Sequence, residues 1–118
     1  MTMTSDELKK RTKKFAIDTI HLVDTLSLGR TTNILRKQLI RAATSVGANY
    51  HAACRGRSKA DFISKITIVE EEADECQYWL ELLSEIGKSN SEAIQTLLKE
   101  AGELTAIFTS TGKTAKRK

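Results

Sequence analysis

A chain of 118 residues that is 40% apolar and contains no proline is the size of a single domain and can bury a respectable core. It has no window near the roughly 18 apolar residues that a membrane span requires, and Met1 to Lys14 is too polar for a secretory segment, so a cytoplasmic location is expected. The net charge of +4 hides a division: residues 1–59 hold twelve Lys/Arg against four Asp/Glu, whereas residues 60–112 hold three against eleven.

The first amphipathic stretch opens at Ser5, with Asp6 and Glu7 suited to the positive end of a helix dipole, and runs to about Leu28 before Gly29. Leu8, Thr12, Phe15, Thr19, Leu22 and Leu26 recur in steps of four and three, the spacing of one helix face. A second helix opens at Thr31 or Thr32 and runs to about Cys54, with Leu35, Leu39, Ala42, Val46, Asn49 and Ala53 on its seam. Arg55-Gly56-Arg57 interrupts the period, and Ser58-Lys59-Ala60-Asp61 resembles a capping box with Asp in the Glu position.

The third helix carries Phe62, Ile66, Val69, Ala73, Cys76, Leu80 and Leu83 and reaches about Ile86, with Gly87 as its terminator. Ser89-Asn90-Ser91-Glu92 forms a second capping box, opening a fourth helix with Ile94, Leu97, Ala101, Leu104 and Phe108 on its seam. After about Ser110 the helix is expected to fray, leaving residues 1–112 as the domain and 113–118 as a basic flexible tail. Connections this short make successive helices antiparallel, so the fold expected is all-α, an up-down-up-down four-helix bundle.

Chemistry is hard to assemble from these residues. A di-iron bundle needs two Glu-x-x-His pairs; His21 has Asp18 three residues before it, but His51 has Ala48 there, and most of Glu70-Glu71-Glu72, Asp74 and Glu75 faces away from the seam. Cys54 and Cys76 are too few for a disulfide framework and read as two small buried thiols. No phosphate-binding glycine loop and no nucleophile with a base and an orienter can be identified, so no catalytic residue, metal or cofactor is expected. Asn49 on a seam reads as a buried amide with a structural role, its candidate partners being polar groups on helix three such as Glu72.

Basic residues carry the functional expectation. Lys9, Lys10, Arg11, Lys13 and Lys14 crowd the first turns of helix one, where the dipole disfavours cations. Arg36, Lys37 and Arg41 lie on the outer face of helix two, and Arg55, Arg57 and Lys59 gather at its far end. The pattern suits contacts to the phosphates of RNA or DNA; a basic face pairing with the acidic half of another subunit and a merely solvated surface are the alternatives. With few aromatics beside these clusters, binding would be directed to the backbone and sensitive to salt. Trp79, Leu82 and Ile86 form an apolar stripe beside the seam of helix three, either a broad core margin or an interface with a neighbouring subunit.

Ser45-Val46-Gly47-Ala48-Asn49, the basic glycine break, Arg57-Ser58, Asp61-Phe62 and the amphipathic run Glu71 to Leu83 together resemble the bacterial four helix bundle proteins. These ribosomal-protein-like proteins are encoded in intervening sequences of large-subunit rRNA genes. The chain departs from many members at Tyr50-His51-Ala52-Ala53-Cys54, where they carry Ile-Ala-Glu-Gly. The resemblance implies a ring-like homo-oligomer, a pentamer. It also implies kinship with the accessory variability proteins of diversity-generating retroelements, which engage nucleic acid and a reverse transcriptase. The combined expectation is a non-enzymatic oligomeric bundle that binds RNA or DNA. The alternative is a protein-interaction scaffold, for example a partner of a reverse transcriptase, without direct nucleic-acid binding.

Overall fold

Each of the four periodic stretches is a helix in a computed structural model that describes residues 3–27, 29–87 and 91–118. The helices are α1 (Ser5–Asp24), α2 (Arg30–Cys54), α3 (Lys59–Ile86) and α4 (Ser91–Arg117). Neighbours in sequence are neighbours in space, with α2 on α3 and α3 on α4 as the broadest contacts and a narrower one closing α4 onto α1. The backbones of diagonal pairs stay apart among the described residues, as an up-down-up-down four-helix bundle requires. The molecule measures 47 × 27 × 20 Å, and its long dimension follows the helices.

Nearly every expected seam residue lies in one continuous core, including Phe15, Leu39, Val46, Ile66, Leu80, Leu104 and Phe108. Tyr50 joins it with its ring centroid 5.2 Å from that of Phe108. Thr12 and Thr19 are buried without an orphaned hydroxyl, because each donates back along its own helix, to the Leu8 carbonyl at 2.9 Å and the Phe15 carbonyl at 2.7 Å. Burial pushes the Cys76 thiol up to about 12, with the nearby Glu72 and Glu75 charges adding to the effect.

Local chemistry sets most of the ends. Thr4 rather than Ser5 caps α1, in a reciprocal box with Glu7. Ser58 accepts from the Asp61 amide at 3.0 Å, and Asp61 turns its carboxylate to the Arg57 amide and to Lys65. Gly87 ends α3 at φ 67°, a left-handed conformation that favours glycine. The expected capping box at Ser89-Asn90-Ser91-Glu92 lies largely outside the described residues.

Three sequence expectations need correction. Helix one stops at Asp24, not near Leu28, because the Thr25 hydroxyl donates to the Leu22 carbonyl at 2.6 Å while the chain tightens into i→i−3 bonds; Gly29 becomes the N-cap of α2. Asn49 is half-buried rather than a seam residue, and its amide donates within its own helix to the Ser45 carbonyl (2.9 Å) and hydroxyl (2.8 Å), not to helix three. The fourth helix does not end near Ser110. Residues 113–117, expected as a tail separate from the bundle, continue α4 to Arg117, with Thr111, Gly112 and Ala115 half-buried.

Candidate nucleic-acid interface

Antiparallel packing sends the start of α1, the α2–α3 turn and the end of α4 to the same end of the bundle. The register follows from three pairs of neighbours. Gly47 lies against Thr12, Gly112 against Ile66, and the Thr109 hydroxyl donates to Glu70. Residues 5–14, 55–67 and 108–118 therefore share one end and carry thirteen Lys/Arg against three Asp/Glu; the rest of the chain carries six against twelve. The charge division along the sequence is thus a polarity along the bundle axis.

Within this end, three cations are engaged. Arg11 forks onto Glu100 with two 2.7 Å hydrogen bonds and reaches Glu103 at 2.9 Å, tying α1 to α4; these bonds push its pKa further up. Lys14 pairs with Asp18, and Lys65 pairs with Asp61 at 2.8 Å. The Lys65 ammonium and the Arg57 amide hold the Asp61 carboxyl below its ordinary range. The other ten, Lys9, Lys10, Lys13, Arg55, Arg57, Lys59, Lys113, Lys116, Arg117 and Lys118, make no ion pair among the described residues. All are exposed except Lys9, which is half-buried.

Lys9, Lys10 and Lys13 border a groove of about 440 Å³ between α1 and α2. Ala16, Gly47 and Ala48 make its small-residue floor, and Thr44 and His51 add polar groups. Gly47 is where the two helices come close: a Cβ there would lie 3.4 Å from Thr12 Oγ1 and 3.6 Å from the Thr12 backbone, which is ordinary contact. Gly47→Ala therefore fits, and removing a mid-helix glycine should raise stability by up to about 1 kcal/mol, read as a higher thermal midpoint. An anion on this floor can approach the helix backbone with lysines on its rim.

The remaining expected cations lie elsewhere. Arg41 bonds to Glu72 at 2.8 Å and to Glu75, and this fork holds the Glu75 carboxyl below its ordinary range. Arg36 and Lys37 sit nineteen and eighteen positions before Arg55, about 28 Å along α2 at helical rise. Arg36 is half-buried, and its Nε is buried with no hydrogen-bond partner among the described residues. The structure thus separates the cations of the α2 outer face from those of the α2–α3 turn.

It also adds Lys113, Lys116, Arg117 and Lys118, which the sequence presents as a tail. The available signal was Phe108, Thr111, Gly112 and Ala115, a seam that continues at helical spacing past a glycine.

On the opposite charge half, Trp79 and Leu82 pack half-buried against the core and Ile86 is 41% exposed. The Trp79 indole donates to Glu75 at 3.0 Å. Ile34 and Tyr78 are each 56% exposed. Ile34 lies two turns from Arg41 on the same side of α2, and the antiparallel Arg41–Glu75 fork puts it level with the Trp79 to Ile86 stretch.

His21 borders a separate groove of about 550 Å³ with Asp18, Thr25 and Glu92. Among the described residues no group of three or more His, Cys, Asp or Glu is placed to hold a metal ion, and no helix is long and apolar enough to cross a membrane.

Comparison with known proteins bears on the whole chain rather than on these groups. No curated protein matches it. A crystal structure of a protein of unknown function from the S23 ribosomal protein family of Bacteroides thetaiotaomicron is 32% identical. It superposes with a TM-score of 0.85, covering 94% of this chain and 99% of that one. The family described as 23S rRNA-intervening sequence protein matches residues 5–110, which takes in α1, α2, α3 and most of α4. With that match across nearly the full bundle, the chain belongs to the 23S rRNA-intervening sequence protein family.

Proposed function

We propose that this protein binds the phosphate backbone of nucleic acid through the basic end of its bundle, with the α1–α2 groove as the innermost part of the surface. One observation carries the reading: three separated chain segments, which themselves hold only three carboxylate side chains, bring ten cations without ion pairs among the described residues to one end. Two of those carboxylates are already used, Glu7 in the α1 cap and Asp61 on Lys65 and the Arg57 amide. Concentrated like charge costs self-repulsion and is relieved by a polyanion. The name of the family points to an rRNA gene context, which agrees with such a ligand. The role is one of binding, with no chemistry assigned to any side chain. A labelled RNA or DNA hairpin titrated at about 50 mM salt, where phosphate contacts are strong, tests it: saturable binding is expected. No binding of either would overturn it and favour the scaffold alternative, in which the partner is a protein such as a reverse transcriptase.

A second reading concerns assembly. Ile34, Tyr78 and Ile86 are exposed beside half-buried Trp79 and Leu82, an apolar stripe of the kind that marks protein contacts. A homo-oligomer joined through this stripe leaves the basic end free, and five copies is the number the resemblance implies. Light scattering should give a mass several times the 13.1 kDa of one chain, lowered by Trp79→Ala. A monomer at every concentration would contradict assembly.

A further inference from the structure

We infer that the basic end is built for double-helical nucleic acid and discriminates against single strands; the inference rests on the reading of that end as a phosphate-binding surface. Sequence-tolerant single-strand binders add aromatic platforms to their cations, on which successive bases stack. The six aromatic residues of this chain leave no exposed ring at the basic end. Phe15, Tyr50 and Phe108 are buried, Phe62 is half-buried against the core, and Trp79 and Tyr78 lie together on the later part of α3 with ring centroids 5.1 Å apart. Phe62 is the one partly exposed ring of this end and packs against the core, so no exposed platform stands here to hold successive unstacked bases.

The distribution of the cations leads to the same ligand. They come from the start of α1, the α2–α3 turn and the end of α4, so they are spread over a cross-section of 27 × 20 Å rather than along one track. A single strand follows one track and must be ordered to reach dispersed charges. A duplex presents two phosphate strands held rigidly apart, with one charge per about 1.7 Å of axis. Over about 20 Å that is roughly twelve phosphates, about half of them on the protein side. Ten unpaired cations on a rigid bundle are enough to meet that density. Exposed lysines and arginines without an inserted helix or strand recognise shape and charge rather than base edges, so RNA and DNA duplexes share the chemistry that is read.

The test uses the full chain and four probes of one non-self-complementary sequence of about 12 base pairs, about 40 Å at roughly 3.4 Å per step and so longer than the basic end on both sides: the RNA duplex, the DNA duplex, and an unpaired strand of each. Fluorescence anisotropy at about 50 mM salt should give at least one duplex a dissociation constant roughly tenfold or more below that of its own strand. Whether RNA, DNA or both meet this criterion identifies the source of the duplex. Equal or tighter binding of the strands overturns the duplex inference and leaves the phosphate-binding reading standing. No binding of any probe overturns that reading itself. Neutralising Lys116, Arg117 and Lys118 to Gln should weaken duplex binding and reduce the salt slope by about one for each phosphate no longer engaged. An unchanged slope would contradict a ligand spread over α1 and α4 together.

Discussion

Phe108→Ala should cost about 3–5 kcal/mol of stability, seen as a large drop in the denaturation midpoint with little change in the denaturant slope. Phe108 is fully buried near the end of the core, with its ring against Tyr50. Truncation removes a large apolar surface and leaves a cavity between α2 and α4 that long helices cannot collapse to fill. Against the roughly 5–15 kcal/mol typical of domains, this is a major fraction. The substitution also bears on the proposed site. Phe108 is the last fully buried anchor of α4 before the segment carrying Lys113, Lys116, Arg117 and Lys118. Amide hydrogen exchange in the variant should therefore rise most strongly after residue 108. A stability loss below about 1 kcal/mol, far under the usual cost of such a truncation, would mean that the end of α4 is not held by this packing.

Reversing Lys9, Lys10 and Lys13 to Glu should lower nucleic-acid affinity by roughly 100-fold at moderate salt while leaving the fold intact. All three border the α1–α2 groove and none is in an ion pair, so their reversal breaks no salt bridge of the bundle. Three carboxylates among the remaining cations relieve like-charge repulsion at this end, so stability should stay level or rise by a few tenths of a kcal/mol. Binding and stability thus move in different directions, which separates a binding defect from an unfolding one. Arg36→Glu with Lys37→Glu is a control on the outer face of α2, seven or more positions before the groove's Thr44, about 10 Å or more along the helix. That pair should change affinity by less than about threefold, apart from the general effect of net charge. A loss in proportion to the charge reversed, two positions against three, would mean that binding follows net charge and not the basic end.

The bundle was legible in the sequence because burial imposes the helical period directly: Leu8 to Leu22, Leu35 to Val46, Ile66 to Leu83 and Ile94 to Phe108 all supply seams that fall in the core. Where periodicity competed with a local hydrogen bond, the sequence was misleading. Thr25 closes α1 through its hydroxyl before the apolar pattern ends at Leu26, and Asn49 satisfies its amide on Ser45 one turn back rather than across the interface. Gly112 reads as a breaker in isolation, but it lies 3.7 Å, measured from an ideal Cβ, from the Ile66 side chain, and the helix runs through it.

The candidate site was legible only in part, for a related reason. Which cations are free depends on contacts across helices. Arg11 and Arg41 look like equals of Lys9 and Lys13 in the sequence, yet carboxylates 31 to 92 positions away occupy them. The joining of the C-terminal cations to those of α1 depends on helix direction together with the length of α4. Both are properties of the fold rather than of any local stretch.

Phosphate binding by the basic end shows most directly in the salt dependence of nucleic-acid affinity in the unaltered protein. With about five to six phosphates engaged, the logarithm of the association constant should fall with the logarithm of salt at a slope of about −5, so that raising salt from about 50 to 200 mM weakens binding roughly 1,000-fold. Affinity that stays flat over the same range would contradict phosphate binding by the basic end.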